Sequence, residues 1–211
     1  ERLGSWGIDS QKQDLMIGVG AQKKQTTSRT AILTNIIRDA QARLHSAGFD
    51  PGPKDGTLSI QTRAALEMYQ RAVGIAVTGQ FDTETFARLY RPLITYTASR
   101  YRSDARLVIS MIECGSRFDP GAQSPRSRQG LMQLTPATAA RYHVDDPFDP
   151  QANLEGGMRY LRDLFQMFPK DLRHVLAAYI AGPQAVIKAG GIPNIHEVHQ
   201  YLHCALEAYA R

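Results

Sequence analysis

A chain of 211 residues, 43% of them hydrophobic, can bury a sizeable core and has room for two modest domains. Its net charge of +5 and isoelectric point near 9.3 favour polyanionic partners. The basic residues are scattered through "AQKK", "RYRSDAR" and "SPRSR" without an interleaved aromatic platform, which argues against nucleic-acid binding. No apolar run approaches a membrane span, since "DLMIGVG" is far too short.

Residues 1–30 are polar, lack sustained periodicity and read as a poorly ordered arm. The chain begins at Glu1 rather than Met, so a removed leader would leave no trace here. From Ala31 the pattern changes. Ile32, Ile36, Ile37, Ala40 and Leu44 fall on one helical face, and Gly48 is placed to stop that helix. The turn cluster "FDPGPKDG" follows, then a second amphipathic helix, "SIQTRAALEMYQRAVG", capped by Ser59. After the turn "VTGQFD", Asp82 caps a short helix, "TETFARLY". These three helices predict a small domain over 31–92, with a second domain over 93–211.

The second half is also helical. Asp104 is placed to open the helix "ARLVISMIECGS", and helices are predicted at 135–142, 149–168, 170–182 and 194–210. Thr135-Pro136 and Asp149-Pro150 each pair a capping side chain with a proline at the first helical position. No alternating strand of any length occurs. The fold class is therefore mainly α, with at most a very small sheet near "QGLMQL".

Two features do not explain themselves. Gly115 continues the buried stripe of Val108, Met111 and Ile112, although a glycine inside a helix costs about 1 kcal/mol relative to alanine. Either it caps the helix or another residue once stood there. Cys114 and Cys204 are compatible with one disulfide in an oxidising compartment or with two small buried hydrophobes, and the second is the preferred reading. His196, His199 and His203 lack the His-Glu-x-x-His spacing of zinc proteases, so neither a metal nor any other cofactor is expected.

The segment from Ala40 to Leu89 resembles the three-helix peptidoglycan-binding domain of cell-wall hydrolases. The match includes Gln41, Leu44, Gly48, Asp55-Gly56, Thr62, Ala65, Tyr69-Gln70, Gly79, Asp82 and Thr85, with Ser59 where the family usually has glycine. Each of these residues alone has a structural explanation in turns and caps. Their joint spacing carries the likeness.

The phrases "SRFDPGAQSPRSRQGLMQLTPATAARY", "DPFDPQANLEGGMRYLRDL", "AAYIAGPQAV" and "HEVHQYL" together resemble the catalytic domain of soluble lytic transglycosylases, which has a goose-lysozyme-like fold. The resemblance implies cleavage of peptidoglycan glycan strands by a single glutamic acid. That acid protonates the glycosidic oxygen, then accepts a proton from the sugar's own hydroxyl as a 1,6-anhydro ring closes. In the family it sits in a Glu-Ser-x-Phe-x-Pro phrase. Here the phrase reads Gly115-Ser116-Arg117-Phe118-Asp119-Pro120, and glycine cannot transfer a proton.

Glu113 lies about 200° around the helix from position 115, so it is a poor substitute, and it precedes Arg117 by four residues in the order that favours a surface ion pair. Two further departures flank the same groove. Ile180 stands where the family has asparagine, and Ser127-Arg128 replace Gly-Ala. Matching the family's glycan-contacting positions are Ser116, Ser124, Met132, Gln133, Tyr179 and Glu197.

The expectation is a periplasmic or secreted wall protein that grips glycan strands without cleaving them, within an envelope machine that the sequence does not name. An anionic wall polymer also suits the positive charge. The alternative is an active transglycosylase, with Glu113 as its acid or with Gly115 an introduced change.

Overall fold

A computed structural model describes residues 29–169 and 171–211. Of the expected N-terminal arm, only Arg29 and Thr30 fall within this range, and both already belong to a helix. Nine helices occur among the described residues: α1 (29–46), α2 (Ile60–Ala72), α3 (Thr83–Arg100), α4 (Ala105–Gly115), α5 (Pro136–Arg141), α6 (Pro150–Met167), α7 (Leu172–Ala181), α8 (Pro183–Ala189) and α9 (His196–Ala210). No strand forms among them. Two isolated bridges, Gln123 with Gln129 and Gln129 with Leu134, are all that becomes of the anticipated small sheet.

The first three helices are organised by two fully buried glutamines. Gln41 accepts from the Gly56 N–H at 2.9 Å and donates to the Thr57 carbonyl at 2.9 Å and Thr62 Oγ1 at 3.0 Å. Gln70 repeats the device. It accepts from the Thr78 and Gly79 N–H groups at 2.9 Å each, and donates to the Gln80 carbonyl at 3.1 Å and Thr85 Oγ1 at 2.9 Å. In both loops a left-handed glycine lies three residues before the capping residue, Ser59 or Asp82. Gly56 tolerates nothing larger, because a Cβ would stand 2.3 Å from the Thr34 carbonyl oxygen. Buried polar side chains persist only when satisfied, and these two tie each loop to the helix preceding it.

The third helix corrects the sequence reading. It does not end near Tyr90. It runs to Arg100 with Pro92 inside it, so the boundary expected at 92/93 falls mid-helix. Proline forfeits one backbone hydrogen bond, but the apolar stripe continues through Ile94 and Ala98, which pack with α4 and α6. One core accordingly runs from Ile36, Leu44, Leu66 and Tyr90 into Ile94, Val108, Met158 and Leu176. Ile36 of α1 also lies against Gly121, so the two halves touch away from α3 as well.

The helix α4 sits between α3 and α9, and α9 runs along much of its length. Cys114 and Cys204 meet there in a disulfide, with Cα atoms 5.9 Å apart. The preferred reading of two separate thiols is thereby corrected. Helix packing brings together two residues 90 positions apart, a proximity that sequence spacing alone does not reveal. A bridge closing so long a loop restricts the unfolded chain strongly. Replacing both cysteines with serine should cost roughly 4.6 kcal/mol by the chain-entropy relation, read as a lower midpoint in urea unfolding.

At its other end α9 is tied to the start of α4. The Tyr209 hydroxyl donates to Asp104 at 2.6 Å and holds that carboxyl below the usual carboxylate range, with the Arg106 N–H also donating to it. A carboxyl whose pKa is lowered by folding contributes stability above its unfolded pKa, and loses it as pH falls through the folded one. Tyr209→Phe should therefore lower stability at neutral pH, and the loss should shrink at acid pH as the carboxyl is protonated. Thermal melts of the two proteins at each pH check this.

Candidate glycan-binding groove

At the C-terminal end of α4, a groove of about 310 Å³ opens between α4, the 123–134 loop, the end of α7 and the start of α9. The loop is pinned by Asn153 of α6, which is fully buried. Its Oδ1 accepts from the Met132 N–H at 2.7 Å, and its Nδ2 donates to the carbonyls of Pro147 and Gln129 at 2.8 and 3.0 Å. Gly130 is left-handed and sits so close to Asn153 that a Cβ would lie 2.3 Å from Nδ2. Asn153 drew no notice in the sequence, because a lone asparagine in a helical run has no distinguishing pattern.

Gly115 is the last residue of α4, exposed at the groove and in ordinary helical geometry. The left-handed turn after the helix is made by Arg117 and Phe118, at φ 53° and 61°, so Gly115 is not needed as a cap. Nor is space lacking. A Cβ there would sit 3.4 Å from Gln133 Cγ and 3.9 Å from Tyr201 Cε2, which is ordinary contact. Neither backbone nor packing demands a glycine.

Of the other expected site residues, three join Gly115 in lining the groove. These are Ser124, whose Oγ accepts from the Arg128 N–H at 3.1 Å, Gln133, whose Nε2 donates to the Gly130 carbonyl at 2.9 Å, and Glu197. The remainder lie elsewhere. Ser116 is buried, with its hydroxyl on the Ile112 carbonyl at 3.2 Å. Met132 is buried against Gly157 rather than forming a wall. Tyr179 is also buried, and its hydroxyl donates to the Met132 carbonyl at 2.9 Å. Burial holds that phenol well above its usual pKa. Ser116, Met132 and Tyr179 therefore support the groove from behind.

Glu113 points away from the groove and pairs with Arg211 at 2.6 Å. The expected pairing with Arg117 does not form, because Arg117 has already left the helix.

What spacing did not reveal is the partnership of Glu197. Its two carboxylate oxygens are held by Arg126 at 2.7 Å and Arg128 at 2.5 Å. Arg128 is only 7% exposed, and its second nitrogen donates to the Ile180 carbonyl at 2.9 Å. That carbonyl belongs to the last turn of α7, where the helix dipole favours a cation. Glu197 lies in the first turn of α9, where an anion is favoured. Arg128 thus bridges the facing ends of two helices. Tyr201 and the disulfide complete the wall around Gly115. Among the described residues, no group of three His, Cys, Asp or Glu could hold a metal ion.

The family description "Transglycosylase SLT domain" matches residues 92–201, just over half of the chain. The chain belongs to this transglycosylase SLT family. A second description, "Putative peptidoglycan binding domain", matches residues 34–89. Among curated relatives, the membrane-bound lytic murein transglycosylase F of Desulfosudis oleivorans is 40% identical over 91 residues, which is 42% of this chain and 20% of the relative. A transglycosylase of Enterobacteria phage PRD1 is 35% identical over 85 residues, 40% of this chain and 32% of the phage protein.

Two solved structures share the fold. The lytic transglycosylase Slt of Pseudomonas aeruginosa, an inactive mutant, superposes with a TM-score of 0.51 at 18% identity, over 71% of this chain and 29% of that one. The 70 kDa soluble lytic transglycosylase of Escherichia coli gives 0.52 at 21% identity, over 71% and 30%. The aligned regions span only a fifth to a third of these relatives' lengths.

Glu113 and Glu197 should respond differently to neutralisation. Glu113→Gln removes a solvent-exposed pair and should change stability by at most about 0.5 kcal/mol. Glu197→Gln leaves the buried Arg128 guanidinium without its counter-ion and should cost about 2 kcal/mol, discounted for the partial exposure of Glu197. Chemical denaturation of both variants distinguishes them.

Proposed function

We propose that the protein binds peptidoglycan through both matched regions, and that its SLT groove holds glycan strands without cleaving them. The observation that carries this reading is Gly115, a groove-facing helical position with room for a side chain and no group able to donate a proton. Among the described residues, the only carboxylate lining the groove is Glu197, and both of its oxygens are engaged by arginines. The relatives named as lytic murein transglycosylases and the peptidoglycan-binding match support the choice of ligand. Ser124, Gln133 and Gln200 offer the hydroxyl and amide groups that sugar recognition uses. A periplasmic or secreted, wall-associated setting fits the disulfide. The protein would serve there as an anchor for envelope components.

A second reading keeps one specific observation on its side. The open contact at Gly115 would also suit an active transglycosylase whose glutamate had been replaced.

Under the first reading, the whole chain co-sediments with purified peptidoglycan and releases no anhydro-muropeptides above background. Losing a general acid/base typically costs 10²–10⁴-fold. Gly115→Trp would fill the groove from an exposed position and should lower the bound fraction several-fold while leaving thermal stability unchanged. Cleavage by the unmodified protein, abolished by Glu113→Gln, would overturn the proposal.

A further inference from the structure

We infer that Arg128 favours the ionised form of any carboxyl group placed at position 115, so that the groove as built suits a neutral residue there. This rests on the reading of position 115 as the vacated place of the acid. The charges around the groove do not balance. Arg126 and Arg128 both attend Glu197, which leaves two cations for one anion. Arg126 is 61% exposed and screened by water, whereas the Arg128 side chain is 9% exposed and is screened less by water.

Position 115 shares the cavity with Arg128. Its Cβ direction leads to within 3.9 Å of the ring of Tyr201, a phenol that feels the Arg128 charge. Glu197 offsets part of that charge, and the other groups around the cavity offset none of it. On α4, Cys114 is locked in the disulfide and Glu113 is committed to Arg211. On α7, Ile180 contributes an apolar side chain, and Tyr179 behind it has its hydroxyl on the Met132 carbonyl. On α9, Glu197 is already shared between the arginines, Gln200 is neutral, and burial holds Tyr201 protonated.

A transglycosylase acid must remain protonated until it gives up its proton. A buried cation opposes that by favouring the carboxylate. The arrangement in this groove therefore suits a neutral position 115, and a glutamate restored there would meet a guanidinium in place of the apolar surroundings that raise a carboxyl pKa. Arg128 is a positioning residue in this sense, acting on another group's proton rather than on a glycan.

The test compares Gly115→Glu, Gly115→Glu/Arg128→Ala and Gly115→Glu/Arg128→Lys in the whole chain. The introduced carboxyl is followed by ¹³C NMR against pH, and anhydro-muropeptide release from purified peptidoglycan is assayed in parallel. With Arg128 present, the carboxyl should titrate at least about one unit lower than with alanine. Lysine, which keeps the charge, should retain most of that lowering. Indistinguishable titrations in the arginine and alanine backgrounds would overturn the inference, as would cleavage by Gly115→Glu alone at the rate of the Arg128→Ala double variant. If the alanine variant does not fold, the comparison of arginine with Arg128→Gln decides it in the same way. The titration needs no peptidoglycan, so failure of glycan binding and failure of this inference are separately visible.

Discussion

The constraint on which the second half of the molecule depends is the packing of α9 along α4. It places Tyr201 beside Gly115, brings Cys204 to Cys114, and carries Glu197 to within reach of two arginines that lie about seventy positions earlier. Two walls of the groove are set by where these two helices meet, and Ile180 at the end of α7 supplies a third. The remaining wall, the 123–134 loop, has little regular structure of its own and is held by Asn153 from α6. A helix pair and one buried amide thus determine the shape of the site.

Much of this was legible from local pattern. Ser59, Asp82, Asp104, Thr135 and Asp149 all cap the helices they were expected to open. Capping is a short-range interaction, and short-range chemistry is written in adjacent residues. The stripe of Leu107, Val108, Met111 and Ile112 is buried as its spacing required. Gly115 could be singled out because it broke that stripe. The α3 reading failed for an instructive reason: Pro92 looks like a stop, and only the continued burial of Ile94 and Ala98 outweighs the lost hydrogen bond. The separation of α8 from α7 was likewise hidden, since Gly182 and Pro183 act as a corner rather than an end.

The parts of the site that sequence could not supply are those made across long separations. Arg128 stood out only as a departure from a familiar phrase, and its contacts with Glu197 and Ile180 span 69 and 52 positions. Residues assigned to the groove by resemblance split in two. Ser124, Gln133 and Glu197 reach it, while Ser116, Met132 and Tyr179 face the core behind it. A matched position fixes a residue's place on the backbone, but the direction of its side chain depends on what is packed around it.

The unbroken run of α3 has a mechanical meaning. An 18-residue helix is about 27 Å long, and with the contact between Ile36 and Gly121 it acts as a strut rather than a tether. A tethered pair of binding regions searches for its second contact, and its reward depends on tether length. Regions held on a strut have no such search. Under the proposed binding by both regions, they would engage together only where the polymer presents two segments at the fixed spacing and orientation, and otherwise one at a time. The molecule would then measure the wall as well as hold it, because its grip would depend on how the strands are laid beside one another.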